Sequence, residues 1–224
     1  MDYYIKLLKK KQQNSYIIKL LKKYNNDQKD KNKLKTKLSL EKFKKSVEWA
    51  INKQIEPKKT ENMTKTQHKE ILKNKEKCWG NEIIDTKDNG QWTTKLGEYL
   101  VHDTLSYMGK NPRRVKKLNG FLPDWETDDA IYEVKTSNYY VDGTAGEKVL
   151  GTFIKYQDIP TLYNKPLYIV CVANQEYELT QGKTCYFGNN IKDKTKEVLK
   201  LANKWQIKYI KFSDLIKNIN INQL

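Results

Sequence analysis

Residues 166–173 read Pro-Leu-Tyr-Ile-Val-Cys-Val-Ala, a run with no charge and no alternation between apolar and polar positions. A strand with one wet face alternates. A continuous apolar run bounded by polar residues is the pattern of a strand covered on both faces. That segment sets the fold class, because a doubly covered strand belongs at the centre of a sheet with helices on its two sides. The neighbouring sequence supplies the rest. A helix is expected from 93 or 94 to about 108, closed by Gly109. Strands are expected at about 114–122 and 130–136, and a short one at 185–187. A helix over about 190–204 and a strand over 207–212 complete an α/β arrangement, a central mixed sheet flanked by helices. No internal repeat is present.

The front of the chain differs in charge. The net charge is +16, and residues 1–77 carry 23 Lys against 9 acids, which is +14 of it. Residues 78–224 hold 20 Lys and Arg against 18 acids. A coding bias toward Lys, Asn, Ile and Tyr explains abundant lysine, but not why acids are scarce only at the front. Such asymmetry points to a polyanionic partner, most often nucleic acid. Two segments divide the chain: a basic helical N-terminal region, 1–77, and an α/β domain, 78–224. Within the first, helix is expected over 2–24 with a break near 12–14, then a polar linker over 24–33. Ser39 can cap a helix whose stripe is Leu40, Phe43, Val47, Ala50, Ile51 and Ile55, ended by Pro57. A further helix begins near Thr66. The stripe is too small to form its own core, so it is expected to pack on the rest of the protein.

Cys78, Cys171 and Cys185 have no metal-ligand spacing and read as reduced thiols of an intracellular protein, cytoplasmic or nucleoid-associated. His68 and His102 are the only histidines, which excludes a histidine-rich metal site. No run of 18 apolar residues and no secretory leader is present, so no membrane association is expected.

The segment "GFLPDWETDDAIYEVKTSN", 120–138, carries the chemistry. On a strand, Glu133 and Lys135 share one face, and Tyr132 and Val134 the other. Asp124 follows Pro123 at the end of the preceding strand, and a short connection brings it toward Glu133. Two converging carboxylates raise each other's pKa unless a cation lies between them. Hard divalent ions such as Mg²⁺ favour such oxygen sites. Lys135 beside them could orient or deprotonate an attacking water, or stabilise charge on a phosphate. The plainer alternative for Glu133 and Lys135 is an exposed salt bridge. Glu98 lies in line with Val101 and Leu105 on the expected helix. Turned toward the sheet, it needs a partner, either a metal or Lys135.

Pro123-Asp124, then Glu133-Val134-Lys135, with Glu98 in the preceding helix, resembles the PD-(D/E)xK nuclease superfamily, over about residues 93–175. The resemblance implies a restriction-endonuclease-like core and an Mg²⁺-dependent enzyme hydrolysing phosphodiester bonds, usually in DNA. It implies that Asp124 and Glu133 bind Mg²⁺, that Lys135 serves the nucleophilic water, and that Glu98 completes the acidic cluster. It also implies a type II restriction-type enzyme on duplex DNA, acting as a homodimer. The alternatives are a structure-specific nuclease for junctions or repair, and a basic DNA-binding protein with an inactive site.

Around this centre, Arg113, Arg114, Lys116 and Lys117 form a basic cluster suited to phosphates, or a solvated strand face. Thr136, Ser137 and Asn138 could reach a base or the backbone. Gly143, Gly146, Gly151 and Lys148 could hold a phosphate, or form a plain surface loop. Tyr139 and Tyr140 could stack on bases or pack in the core. The glycine spacing is not a dinucleotide fingerprint, so no nucleotide cofactor is expected.

Overall fold

The computed structural model describes residues 35–52, 63–86, 91–140, 149–217 and 219. The helix expected over 2–24, the linker over 24–33, Ile55, Pro57, the 88–90 turn, Lys148, Gly143 and Gly146 lie outside them. The elements are α1 (Leu40–Ile51), α2 (Lys65–Ile83), α3 (Trp92–Tyr107), β1 (Arg113–Arg114), β2 (Trp125–Glu126), β3 (Ile131–Ser137), α4 (Thr152–Lys155), α5 (Ile159–Tyr163), β4 (Leu167–Ala173), α6 (Asn174–Gln181), α7 (Asp193–Lys204), β5 (Ile207–Lys211) and α8 (Phe212–Lys217).

The five strands form one mixed sheet in the order β1-β2-β3-β4-β5. β1, β2 and β3 run antiparallel in succession, and β3, β4 and β5 are parallel. β4 is central. Its residues split between two buried clusters, as two-sided burial requires. Val170 and Val172 pack with Tyr132, Val134 and the α1 and α3 side chains Phe43, Trp49, Leu96 and Leu100. Leu167, Ile169 and Cys171 pack on the other side with Ile131, Phe153, Ile159 and Tyr209.

The strand expected over 114–122 is instead two arms of a hairpin. Asn119 and Gly120 have φ of 47° and 84°, and Leu118 bridges back to Phe121. Asn-Gly is the dipeptide that accepts two left-handed residues in a row, and that turn outweighs the strand pattern around it. Pro123 then offers no N–H to the ladder. The segment 185–187 is not a strand, because the Tyr186 and Phe187 N–H groups both donate to Leu179 O (2.8 and 3.1 Å). The sequence reading also left out α4, α5, α6 and α8. Among the described residues no helix is long and apolar enough to cross a membrane.

Ser39 caps α1 as expected, accepting from Lys42 N at 3.3 Å, and Thr64 with Gln67 forms a capping box on α2. The α1 stripe packs on the sheet side of α3. Asp103, fully buried on α3, accepts from Lys37 N (2.7 Å) and Leu38 N (2.9 Å), and so fixes the chain entering α1. Glu76 of α2 accepts from Trp49 Nε1 (2.9 Å) and Tyr139 N (3.1 Å), tying α1, α2 and the end of β3 together. Burial pushes the Glu76 carboxyl up, and these N–H donors pull it down. The boundary placed between 77 and 78 falls inside α2.

α3 lies close on β3 because of Gly97. A Cβ there would stand 1.8 Å from Thr136 Oγ1. Gly97→Ala is therefore expected to force α3 off β3 and to cost about 1–3 kcal/mol in urea unfolding. An unchanged midpoint would mean that the helix does not depend on this approach.

Candidate active site

Asp124 sits at the bend before β2, and main-chain bonds on each side of Glu133 fix it. Its N–H donates to Tyr132 O (3.1 Å), and its Oδ2 accepts from Val134 N (2.7 Å). The β2–β3 pairing, Trp125 opposite Tyr132, creates this clasp. Glu133 points to the face opposite Tyr132 and Val134, as the period of two requires. It is 5% exposed. Its Oε1 accepts from Lys135 Nζ at 2.6 Å, while its Oε2 is buried with no hydrogen-bond partner among the described residues.

The Asp124 carboxyl is pushed up to about 7, first by burial and then by the negative charge of Glu133. Glu98 adds to the rise. The Val134 N–H and the Lys135 ammonium oppose it. Tyr156, which the sequence reading did not single out, belongs here too. Burial, then the charges on Glu133 and Asp124, push its phenol up. It lies between β3 and β4 in a segment whose only sequence signal is apolar residues at helical spacing.

Glu98 is satisfied differently from expectation. Its Oε2 pairs with the Arg114 guanidinium at 3.0 Å, not with Lys135. Arg114 lies 4.1 Å over the Trp125 ring, and Trp125 Nε1 donates to Glu98 O at 2.9 Å. Trp125, one residue past Asp124, thus holds both members of the pair. This was not legible beforehand, because Arg114 and Glu98 meet only through the packing of β1 and β2 on α3.

The surrounding residues divide. Arg113 is engaged by Asp128 (2.8 Å) and Glu126 (3.0 Å). Lys116 and Lys117 are exposed. The Thr136 and Ser137 hydroxyls are buried and unpartnered among the described residues, and Asn138 Oδ1 accepts from Thr93 Oγ1 at 2.7 Å. All three residues are half-buried. Tyr139 donates its hydroxyl to Ala50 O (3.3 Å), and Tyr140 is buried. The His102–Asp103 pair (2.8 Å) is buried in α3 against Trp125.

Among the described residues no three His, Cys, Asp or Glu side chains form a ready-made metal cluster. The donor set nevertheless suits a hard cation: the buried Glu133 with its orphaned oxygen, the half-buried Asp124 beside it, and a third acid within electrostatic reach under an arginine. Asp124 and Glu133 could hold the ion, with Glu98 available once Arg114 leaves it. Comparison with protein-family models, with curated proteins and with solved structures returns no match.

Because the Asp124 pKa lies above its ordinary 3.8, the folded state binds that proton more tightly than the unfolded one. Its contribution to stability is therefore full at low pH and is lost as pH rises toward about 7. In chelator, thermal midpoints of the wild type are expected to fall between about pH 4 and pH 7, and Asp124→Asn to flatten that slope. Parallel profiles for the two proteins would show that Asp124 ionises without strain.

Proposed function

We propose that this chain is a divalent-metal-dependent DNA endonuclease of the PD-(D/E)xK type with a restriction-endonuclease-like core, cutting duplex DNA. The observation that carries the reading is the clasp of Asp124 on Tyr132 and Val134, which sets a second carboxylate beside the Glu133–Lys135 pair. The element order supports it: helix α3, an antiparallel meander β1-β2-β3, a helical crossover, and then parallel β4. The +14 on residues 1–77 supports a nucleic-acid partner. A homodimer, with one site for each strand, belongs to the same proposal.

In this reading Asp124 and Glu133, with Glu98 once Arg114 releases it, would hold Mg²⁺, which when bound would supply Lewis-acid charge and a more acidic water. The chain's own groups do the rest. Glu133 Oε1 fixes the Lys135 ammonium. From there Lys135 would orient the attacking water and, as the free amine, accept the proton that the water gives up, or, as the ammonium, donate to a phosphoryl oxygen on which charge develops. Val134 N–H keeps the Asp124 carboxylate turned toward Glu133. Apolar side chains on both faces of the sheet keep the dielectric low, which strengthens each of these interactions.

The test is supercoiled plasmid with Mg²⁺ and then with EDTA. Asp124→Ala and Glu133→Ala are expected to lose cleavage while still binding DNA in Ca²⁺; full turnover by either variant removes the site. Lys135→Met is expected to slow single-turnover cleavage roughly 10²-fold with an intact thermal transition, and Lys135→Arg not to restore it. A Lys135→Met protein that melts early yet cuts normally would make Lys135 a structural partner of Glu133. Cleavage confined to branched DNA would replace the restriction-type reading with a structure-specific one.

A further inference from the structure

The hairpin just before Asp124 has a shape and charge that the site itself does not use. Arg114 pairs with Trp125 at its base, and Leu118 with Phe121 at its tip. The two pairings share one register, so residues 113–126 run out and back as one finger, paired at its base and at its tip. At the tip, Leu118 N donates to Phe121 O (3.1 Å) and Phe121 N to Leu118 O (2.8 Å) around Asn119-Gly120. Left-handed φ at both central residues makes this a type I′ turn. A Cβ added to Gly120 would meet nothing within 4 Å, so the tip stands clear of the protein.

The finger is braced, not loose. Tyr163 donates its hydroxyl to Lys116 O at 2.6 Å and lies 3.5 Å from Phe121 O, touching both arms. The Phe121 ring packs on Tyr156 at 6.0 Å. What the finger shows to solvent is Lys116, Lys117, Asn119 and Leu122, the last 56% exposed. Among the described residues neither lysine makes an ion pair, and the Asn119 side chain has no hydrogen-bond partner.

We propose that this finger enters the major groove of the duplex substrate and reads base pairs beside the cut, with Asn119 as the reading side chain. The inference rests on the nuclease reading above. A two-stranded ribbon fits the major groove, about 12 Å wide, and not the minor groove of about 6 Å. Asn is a side chain that can pair with both N6 and N7 of adenine, and an exposed leucine suits a thymine methyl. Lys116 and Lys117 on one arm reach phosphates at the groove edge. Asp124 is the fifth residue after Asn119, at most roughly 17 Å along extended chain. At about 3.4 Å per base pair, that places the reading tip within about five base pairs of the scissile phosphate.

The experiment is Mg²⁺ cleavage of a randomised duplex pool by the full chain, followed by sequencing of the released ends. Asn119→Gly keeps the turn, because Gly-Gly also forms type I′, and removes only the amide. It is expected to lose roughly 10-fold of the preference at one A·T pair within about five base pairs of the cut. Lys116→Ala with Lys117→Ala is expected instead to weaken binding to all sequences alike and to flatten the log–log salt slope by about 2. The finger reading is overturned if Asn119→Gly cuts the same sequences with the same discrimination, or if the wild type cuts duplex without preference. In both cases the nuclease reading stands. A wild type that cleaves no duplex overturns both.

Discussion

Two carboxylates, the buried Glu133 and the half-buried Asp124, meet at one point of an apolar sheet and set the terms for the rest of this molecule. Burial and the negative charge of Glu133 make ionisation of Asp124 costly, and the Val134 N–H and the Lys135 ammonium oppose that cost. Such an arrangement persists only when the surrounding fold fixes it. Here the fixing comes from the parallel pairing of β3 with β4 along its whole length and from helices on both faces. Among the described residues Glu133 Oε2 has no hydrogen-bond partner inside that layer, and the proposed divalent cation would supply one.

The same packing couples the helical front to the site. Asp103 anchors the approach to α1, and Glu76 ties α1 and α2 to the end of β3. α3 carries Asp103 toward one neighbour and Glu98 toward another. Trp125 then closes the circuit: fully buried, it bonds Glu98 O, supports Arg114 and follows Asp124 directly. Residues 35–52 and 63–86 thus supply the wall against which β3 is built. Their basic exterior is a separate property of the same segment.

Periodicity made some of this legible in the sequence. The unbroken run 166–173 gave β4 its place, and the period of two put Glu133 and Lys135 on one face. Ser39 announced α1 by its chemistry. The Asn119-Gly120 turn was also written in the chain, since Asn-Gly between apolar residues is a strong hairpin signal, but the surrounding strand pattern masked it. Other features have no local signal. The Arg114–Glu98 pair and the place of Tyr156 beside Glu133 depend on which surfaces meet in three dimensions. The inward turn of Thr136 depends on a glycine 39 positions earlier in the chain. Short helices such as α4 and α5 are set by the need to cross from β3 to parallel β4, not by their own propensity.

Direct measurement of Mn²⁺ binding tests the central claim, that the buried acids form a cation site. The loss of the free Mn²⁺ paramagnetic signal on titration with protein at neutral pH reports occupancy without requiring cleavage. The expected result is saturable binding by the wild type that Asp124→Asn and Glu133→Gln each weaken by an order of magnitude or more, in proteins that remain folded. Binding that is absent from the wild type, or unchanged in both variants, would contradict it.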